Sequence, residues 1–495
     1  MLDTRKTRLA RVLSLGAIAL AAGCSMAPKY ERPEAPVAAD WPGLRMARSL
    51  AVAPAATASP AVYTLAAADI EWQTFFNDPK LRQLIEAALR NNRDLRVAVL
   101  NIEQARAQFQ IRRADQFPTV GAAVTGSRQP ATGGAIASVY TAGLALTSYE
   151  IDFFGRVASL KDAALSQYLA TEEGRKTAQI SLVASVANTY LALLADEESL
   201  AITQQTLATR EESFKLSQLR FDNGITSEID LRQAQSLTEA ARISLAQLQR
   251  QRAQDENLMT LLVGQPLTPD LAVALPAGQG LADAPFMADV PAGLPSDLLT
   301  KRPDIRQAEQ QLLAANANIG AARAAFFPRI SLTASAGSVS THLSGLFESG
   351  TYGWTLAPQL FLPLFDAGRN RAGLDSANVN RDIAVAQYEK AIQTAFREVA
   401  DALAGRATLG EQLRAQQAQA DAEGVRFKLS DLRYQNGIAS QLDLLDAQRS
   451  LFAAQQAVVQ TRLLQLQNQV TLYKTLGGGW KDPVATAPGT AAATP

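Results

Sequence analysis

Two long stretches of the chain combine a coiled-coil spacing of apolar residues with an almost complete absence of helix breakers. Residues 156–222 contain no proline and one glycine, and residues 369–435 contain no proline and four glycines. In the first stretch Val183, Ala187 and Tyr190 step by four and then three positions, which is the spacing of a coiled-coil seam. At 1.5 Å per residue each stretch predicts a helix of about 100 Å, a length typical of a coiled coil or a helical tube.

An Asn-Gly pair follows each predicted long helix. Asn223-Gly224 and Asn436-Gly437 accommodate a positive φ angle, which ends a helix sharply. Ser227 and Ser440 come just after these pairs and suit the N-cap position of a returning helix. The first return helix is predicted from about Ser227 to Val263. Each half of the chain should therefore form a long antiparallel helical hairpin with a tight tip.

Shorter segments before each long helix alternate with period two. Ile330, Leu332 and Ala334 alternate with small polar residues, which predicts a strand with one apolar and one polar face. A helix precedes the strands, and in the first half it is predicted from Asp78-Pro79 to about Ala114. Each half is thus expected to contain a helix, two strands, a long helix, a tip and a return helix.

The two halves are copies of one unit. Residues 214–235, FKLSQLRFDNGITSEIDLRQAQ, align without gaps with residues 427–448, FKLSDLRYQNGIASQLDLLDAQ, and roughly two-thirds of the positions are identical. Such self-similarity indicates an internal duplication. The expected fold class is mainly α, with long antiparallel helical hairpins, an internal two-fold repeat and four strands per chain.

The four strands need partners from other chains if their apolar face meets a membrane. Open strand edges are not tolerated in a bilayer, because their N–H and C=O groups would lack hydrogen bonds. Closure takes at least about eight strands, which two chains supply, whereas three chains supply about twelve. The strands lead directly into the long helices, so the barrel must match the width of a helical tube, which favours a homotrimer with a 12-stranded barrel. Aromatic residues at the strand–helix junctions suit an interfacial girdle, although plain packing explains any single one as well: Phe117, Phe153, Phe154, Phe326, Phe327 and Phe365.

The N-terminus has the features of a secretory signal. Basic residues precede an apolar stretch from Leu13 to Ala22 that is too short to span a bilayer. The sequence Ala21-Ala22-Gly23-Cys24 resembles a lipobox, in which the cysteine becomes the lipidated N-terminus. In lipoproteins of this kind an aspartate after the cysteine often means retention in the inner membrane, so Ser25 favours the outer membrane. The alternative is an ordinary signal peptide with an incidental cysteine.

These patterns divide the chain into six segments. A signal peptide (1–23) and a lipidated extended leader (24–68) precede the first repeat (69–265). An inter-repeat linker (266–296), the second repeat (297–476) and a disordered tail (477–495) follow.

The composition limits the chemistry that the chain can perform. Lys and Arg number 47 and Asp and Glu number 47, so the net charge is zero and no nucleic-acid partner is expected. With one cysteine and one histidine, His342, the chain can form no intrachain disulfide and no cysteine-based metal site, and it lacks the His and Cys clusters on which zinc, copper and triad chemistry usually depend. This composition does not exclude an enzyme, but the usual catalytic toolkit is missing. We expect no enzyme, no metal, and no cofactor beyond a covalent lipid on Cys24. No segment after the signal has 18 consecutive apolar residues, so no transmembrane helix is expected.

Three sequence runs resemble one known family. They are LPSDLLTKRPDIRQAEQQLLAANANIGAARAAFFPRISLTAS at 294–335, SYEIDFFGR at 148–156 and LYKTLGGGW at 472–480. They are similar to the outer-membrane efflux lipoproteins of the TolC superfamily, in particular the OprM-like channels of RND pumps. The resemblance covers nearly the whole chain after Cys24. It implies a homotrimer whose small β-barrel lies in the outer membrane and whose helical tunnel crosses the periplasm. It also implies a periplasmic adaptor, the membrane fusion protein, and an inner-membrane RND pump as partners.

The resemblance also assigns a periplasmic gate. The run GIASQLDLLDAQR supplies Leu442, Asp446 and Arg449, which match the constriction of OprM-like channels. Asp443, with Asp230 as its mate in the first repeat, matches a further acid of TolC-like relatives. TolC-like channels also use an arginine where this chain has Ala439, so that version of the lock is not expected here. The alternative interpretation, from the residues alone, is that Asp446 and Arg449 form an ordinary i,i+3 pair on one helix.

The hairpin tips are expected to dock the adaptor, since one trimer presents six similar tips. The residues assigned to docking are Asn223, Gly224, Ile225, Ser227, Asn436, Gly437, Ile438 and Ser440. Passive efflux of drugs or other small organic solutes is the function that the resemblance implies. Type I protein secretion, metal efflux and a pore-free coiled-coil tether are the alternatives. The alternating strands argue against the tether, and one histidine with five methionines offers little for a metal relay.

Overall fold

The computed structural model describes residues 26–38, 41, 67–130, 133–281, 287, 290 and 295–481. The predicted signal peptide, Cys24 and residues 482–495 lie outside the described residues. Within them the chain forms ten α-helices and four β-strands. In chain order these are α1 (Trp72–Phe75), α2 (Pro79–Asn91), α3 (Arg93–Ala114), β1 (Val120–Pro130), β2 (Ile136–Ile151), α4 (Arg156–Asp222), α5 (Glu228–Val263), α6 (Pro269–Ala274), α7 (Pro295–Lys301), α8 (Pro303–Ala324), β3 (Arg329–Ser340), β4 (Tyr352–Phe361), α9 (Arg369–Gln435) and α10 (Gln441–Thr475).

The two long helices confirm the prediction made from their missing helix breakers. Helices α4 and α9 have 67 residues each, and they begin and end where the sequence predicted. The return helices α5 and α10 are similar to each other, with 36 and 35 residues. The second half therefore repeats the first element by element, as the internal duplication requires.

The helix predicted from Pro79 to Ala114 is instead two helices, so that prediction was wrong at Asn92. Asn92 has ψ of 133°, which is outside the helical range. Its side-chain Oδ1 accepts a hydrogen bond from Leu95 N (2.9 Å) and so caps α3, while its Nδ2 donates to Leu262 O on α5 (2.9 Å). At the break, Asn92 thus combines a local helix cap with a contact to a residue far away in the sequence.

The four strands form one antiparallel sheet in the order β1-β2-β3-β4. A row of paired residues crosses the whole sheet on one face and is apolar: Val120, Leu146, Ala334 and Leu356. The adjacent row points to the opposite face and is small or polar: Gly121, Ala145, Ser335 and Thr355. The predicted division into one apolar and one polar face is confirmed. In the single chain the apolar face is bare, with Trp354 70% and Val124 75% exposed.

The chain divides into two compact units. Of the described residues, the first contains those within 26–35, 100–172 and 307–390, and it holds the sheet. The second contains the described residues within 36–99, 173–306 and 391–481. Its core includes the seam of α4, where Val183, Ala187 and Tyr190 are at most 2% exposed. Tyr190 Oη donates a hydrogen bond to Asp78 Oδ2 (2.7 Å), the carboxylate that also caps α2. By composition, one 18-residue window of α4 is apolar enough to cross a membrane, but 72% of that window is buried in the structure.

Residues 477–481 were predicted to belong to a disordered tail, and that prediction was wrong for these five residues. Gly477 and Gly478 donate backbone hydrogen bonds to Lys474 O and Tyr473 O at the end of α10. The Lys176 ammonium lies 4.8 Å from the centre of the Trp480 ring, and Lys481 pairs with Asp69. The Gly-Gly-Gly-Trp run therefore packs as part of the second unit.

Candidate functional site

Both hairpin tips have the same local structure. Gly224 and Gly437 have φ of 71° and 73°, in the left-handed region that favours glycine. The Asn223 side chain donates to Leu219 O and the Asn436 side chain donates to Leu432 O, each at 2.7 Å, so each amide satisfies a carbonyl at the end of a long helix. A residue with an apolar side chain follows each glycine and is not covered by the chain: Ile225 is 73% and Ile438 69% exposed.

Capping boxes start both return helices, as Ser227 and Ser440 predicted. Each serine Oγ accepts a hydrogen bond from the backbone N–H three residues later, and the aspartate at that position accepts from the serine N–H in return. These aspartates are Asp230 and Asp443, two of the predicted gate residues. The hydrogen bond from the Ser227 side chain lowers the pKa of Asp230, and the Ser440 hydroxyl lowers that of Asp443 in the same way. Both carboxylates therefore hold their own helix starts and remain charged in weak acid.

Leu442 lies in the first turn of α10 and is left uncovered by its own chain. It is 55% exposed, whereas Leu444 and Leu445 are 4% and 2% exposed and pack into the second unit. A leucine turned away from the core of its own chain is available to contact another copy.

Asp446 has a partner that the sequence did not indicate. Its Oδ2 accepts a hydrogen bond from Arg426 Nη2 on α9 (2.6 Å), whereas its Oδ1 is 3.7 Å from Arg449 Nη1 on the same helix. The Arg426 guanidinium also contacts Glu423 (3.1 Å). Within one chain the stronger bond of Asp446 thus links α10 to α9. Arg426 and Asp446 lie at similar sequence distances on either side of Gly437, so the register of the predicted hairpin was the available signal for this pair.

Polar side chains connect the second hairpin to the first. Gln441, which is 8% exposed, donates from Nε2 to Ser217 Oγ (2.7 Å) and to Asp230 O (3.3 Å). Near the tips, Arg220 Nη1 donates to Tyr434 Oη (2.6 Å) and its guanidinium lies 4.9 Å from the centre of the tyrosine ring. These contacts join residues from different repeats, and no periodicity along one segment could have revealed them.

The leader packs along α8 in the first unit. Arg323, close to the end of α8 that leads into β3, donates from Nη1 to Met26 O (3.3 Å), and Asn316 Nδ2 donates to Pro28 O (2.8 Å). Further along, Arg32 makes two hydrogen bonds of 2.7 Å to the Glu309 carboxylate. The leader therefore runs antiparallel to α8, and its first described residue lies at the strand end of that helix.

Comparisons with known proteins agree with this architecture. A sequence model of the family described as outer membrane efflux protein matches residues 84–265 and 294–478, which is most of the chain. A toluene efflux pump outer membrane protein, TtgC of Pseudomonas putida, is 49% identical over 484 residues, covering 96% of this chain and 97% of that protein. An antibiotic efflux pump outer membrane protein, ArpC of the same species, has the same identity and the same coverage.

The fold is also similar to a solved outer-membrane channel. The open state of the MtrE outer membrane channel of Neisseria gonorrhoeae superposes with a TM-score of 0.81 at 40% identity. The match covers 92% of this chain and 99% of that one. The likeness therefore extends over both repeats and the sheet.

Proposed function

The chain belongs to the outer membrane efflux protein family, and on this basis we propose that it forms the outer-membrane channel of a tripartite efflux system. Its role is passive. It conducts small organic solutes to the exterior, while an inner-membrane pump of the RND type supplies the energy and a periplasmic adaptor connects the two. The family's activity is transport, which requires no catalytic group in this chain.

The observation that carries the proposal is the unfinished sheet. Strands β1 and β4 are its outer strands, and no other strand among the described residues pairs with their free edges. The apolar face needs lipid, yet an open edge in lipid leaves backbone N–H and C=O groups without hydrogen bonds. Pairing β4 of one copy with β1 of the next satisfies both requirements, and three copies give a barrel of about twelve strands.

The long helices support assembly of several copies. Apolar side chains remain exposed along α4, α5 and α9, although these helices bury others in the core of their own chain. They include Leu219 (61%), Ile243 (60%), Val425 (60%) and Leu429 (55%). Large apolar side chains exposed along long helices are typical of a protein interface when they form a patch. We assign these side chains to contacts between copies around a helical tunnel.

The tips and the first turns of α10 provide the lower end of this channel. Six similar tips per trimer offer a repeated surface to the adaptor, with Ile225 and Ile438 as apolar contacts. Leu442 would form a ring that excludes water, and the pairs of Asp446 with Arg426 and Arg449 would hold the helices in the closed arrangement. The geometry of one chain supports this gate because Leu442 is uncovered and Asp446 bridges two helices.

A lipid on Cys24 fits the course of the leader. Met26 contacts the end of α8 next to β3, and β3 belongs to the sheet that we place in the outer membrane. Cys24 is only two residues earlier, so lipid chains on it reach the membrane surface. Several acyl chains on one cysteine hold a protein well, although the barrel itself also anchors the trimer.

The cargo class follows from the relatives' names. Proteins 49% identical to this chain are named for toluene efflux and for antibiotic efflux. We therefore propose that the channel passes drugs and other organic solutes with little selection of its own.

Conductance of the purified protein in planar bilayers tests the proposal. We compare the wild type with Asp446→Ala/Arg449→Ala and with the same variant carrying Leu442→Ala. The control pair is Arg371→Ala/Asp375→Ala, which removes an exposed i,i+4 ion pair elsewhere on α9. We expect low wild-type conductance, a rise in the double variant, a further rise in the triple variant, and no rise in the control.

The same variants should let a large antibiotic leak into cells that lack the pump. If the wild type and all of these variants fold and reach the outer membrane but none of them conducts, the proposed channel function is wrong. If the wild type conducts and its conductance does not change when Leu442, Asp446 and Arg449 are replaced, the channel function is supported but the gate assignment is wrong.

A further inference from the structure

A cavity of ≈ 400 Å³ lies in the second unit between α4, α9 and α10. Its walls are mostly apolar and include Ile202, Leu451 and the aromatic rings of Phe427 and Phe452. This volume suits a small organic molecule, because such ligands usually occupy clefts of a few hundred cubic ångströms lined by apolar and aromatic groups. No residue assigned above to the gate or the tips lines the cavity, although Gln448 in its wall directly precedes Arg449.

A buried arginine forms part of this wall, and no carboxylate among the described residues forms an ion pair with it. Arg210 is 4% exposed. Its guanidinium Nη1 donates to Leu237 O (2.9 Å), and no other nitrogen of the group bonds to a described residue. The guanidinium carbon lies 5.3 Å from the centre of the Phe452 ring. Burial lowers the pKa of Arg210, and the nearby Arg449 charge adds to this effect, so its surroundings supply no compensating negative charge.

A second polar group of the wall is also incompletely bonded. Gln448 is 7% exposed, and its Nε2 donates to Ser213 Oγ (3.3 Å). Its Oε1 is buried and accepts no hydrogen bond from any residue that the structure describes. The cavity thus combines a cation that lacks an anion with a carbonyl oxygen that lacks a donor.

Leaving these groups unpaired is costly, since a buried charge or acceptor without a partner loses its hydration and gains nothing in return. A bound molecule with a carboxylate for Arg210 and a hydroxyl donor for Gln448 supplies both partners. An aromatic ring between these two groups would pack against Phe427 and Phe452. We propose that this cavity is a binding site for small aromatic carboxylates that carry a hydroxyl group.

The site would have a consequence for motion. Arg210 is on α4 in the first hairpin, whereas Gln448 and Phe452 are on α10 in the second. A ligand that contacts both helices holds them together, so it stabilises whichever arrangement of the hairpins the structure represents. The binding itself does not depend on the proposed channel function.

Binding to the purified full-length protein is measured by calorimetry with three probes: hydroxynaphthoate, naphthoate and naphthol. Hydroxynaphthoate should bind best, naphthoate more weakly, and naphthol weakest, because it lacks the anion. Arg210→Gln should weaken hydroxynaphthoate binding by about tenfold or more, the loss expected for one charge-assisted hydrogen bond. The matched control is Arg414→Gln, since that side chain is 77% exposed on α9.

Leu451→Trp provides a second variant, which fills the cavity and leaves Arg210 unchanged. It should also block binding, while the thermal unfolding midpoint without ligand confirms that both variants fold. Three results would overturn the site: no binding of hydroxynaphthoate to the wild type, equal binding to the wild type and both variants, or equal binding of naphthol and hydroxynaphthoate. An acidic side chain of a neighbouring copy seated on Arg210 in the assembled trimer would overturn it as well.

Discussion

The contact of Gln441 with the first hairpin should control how easily the channel opens. The variant Gln441→Met keeps the size of this buried side chain but removes the donor that bonds to Ser217 Oγ at 2.7 Å and to Asp230 O at 3.3 Å. The loss leaves no donor stranded on Ser217, because its hydroxyl donates to Ser213 O. The change therefore removes attraction between the hairpins and adds no new repulsion.

The size of the effect follows from the shorter bond alone. A net intramolecular hydrogen bond contributes about 1 kcal/mol, and three copies that open together lose about 3 kcal/mol of closed-state stability. The opening equilibrium should shift on the order of 100-fold towards the open state. Open probability in planar bilayers measures the shift, and leak of a large antibiotic into pump-deficient cells measures it independently.

Two comparisons decide whether this reasoning holds. Gln460→Met changes an exposed glutamine of the same helix and should leave open probability unchanged. Ser217→Ala removes the acceptor, so its effect and that of Gln441→Met should not add in the double variant. Additive effects, or an open probability of Gln441→Met equal to the wild type, would show that the hairpins do not separate at this contact when the channel opens.

Three further outcomes are expected. Gly437→Val places a β-branched residue at φ of 73°, a strain of about 1–2 kcal/mol, and should reduce efflux with trimers intact, whereas Gly373→Val in α9 should not. Burial and the neighbouring Asp255 raise the pKa of the Asp196 carboxyl to about 7. Because this is above its value of about 4 in the unfolded chain, the contribution of Asp196 to the free energy of unfolding is full below about pH 4 and is lost as pH rises through 7. Wild-type unfolding free energy should therefore fall between pH 5 and 8, and less so in Asp196→Asn. Cys24→Ala, exported by a signal that needs no lipid, should retain most efflux, and complete loss of outer-membrane trimer would contradict this.

The parts of the fold that follow from one continuous segment were predictable. The absence of proline correctly predicted both 67-residue helices. The Asn-Gly pairs and the serines that follow them correctly predicted both tips. Period-two alternation gave the apolar and polar faces of the sheet. In each case the cause lies in neighbouring residues, so a sequence pattern is enough to reveal it.

The parts that depend on residues far apart in sequence were not predictable in this way. At the break between α2 and α3, Asn92 Nδ2 donates a hydrogen bond to Leu262 O on α5. Gln441 likewise donates to Ser217 in the other repeat. Arg426 was missed for a different reason, because its pairing with Asp446 follows from hairpin register rather than from spacing along one helix. The family resemblance supplied the proposed gate residues, but it did not supply their partners within the chain.

The predicted acids of the gate have separate physical roles. Asp230 and Asp443 close the capping boxes, so they are needed to start a helix immediately after a tight tip, and the same hydrogen bonds keep them ionised. In a trimer each of them is repeated three times, so the sharp tip that we propose as the docking surface would also place negative charge beside the proposed mouth. Asp446 takes part in no capping bond but joins α9 to α10 through Arg426. Under the proposed gate, charge at the mouth and closure of the channel are therefore assigned to different carboxylates, and we expect a change in cation preference without opening when only Asp230 and Asp443 are replaced.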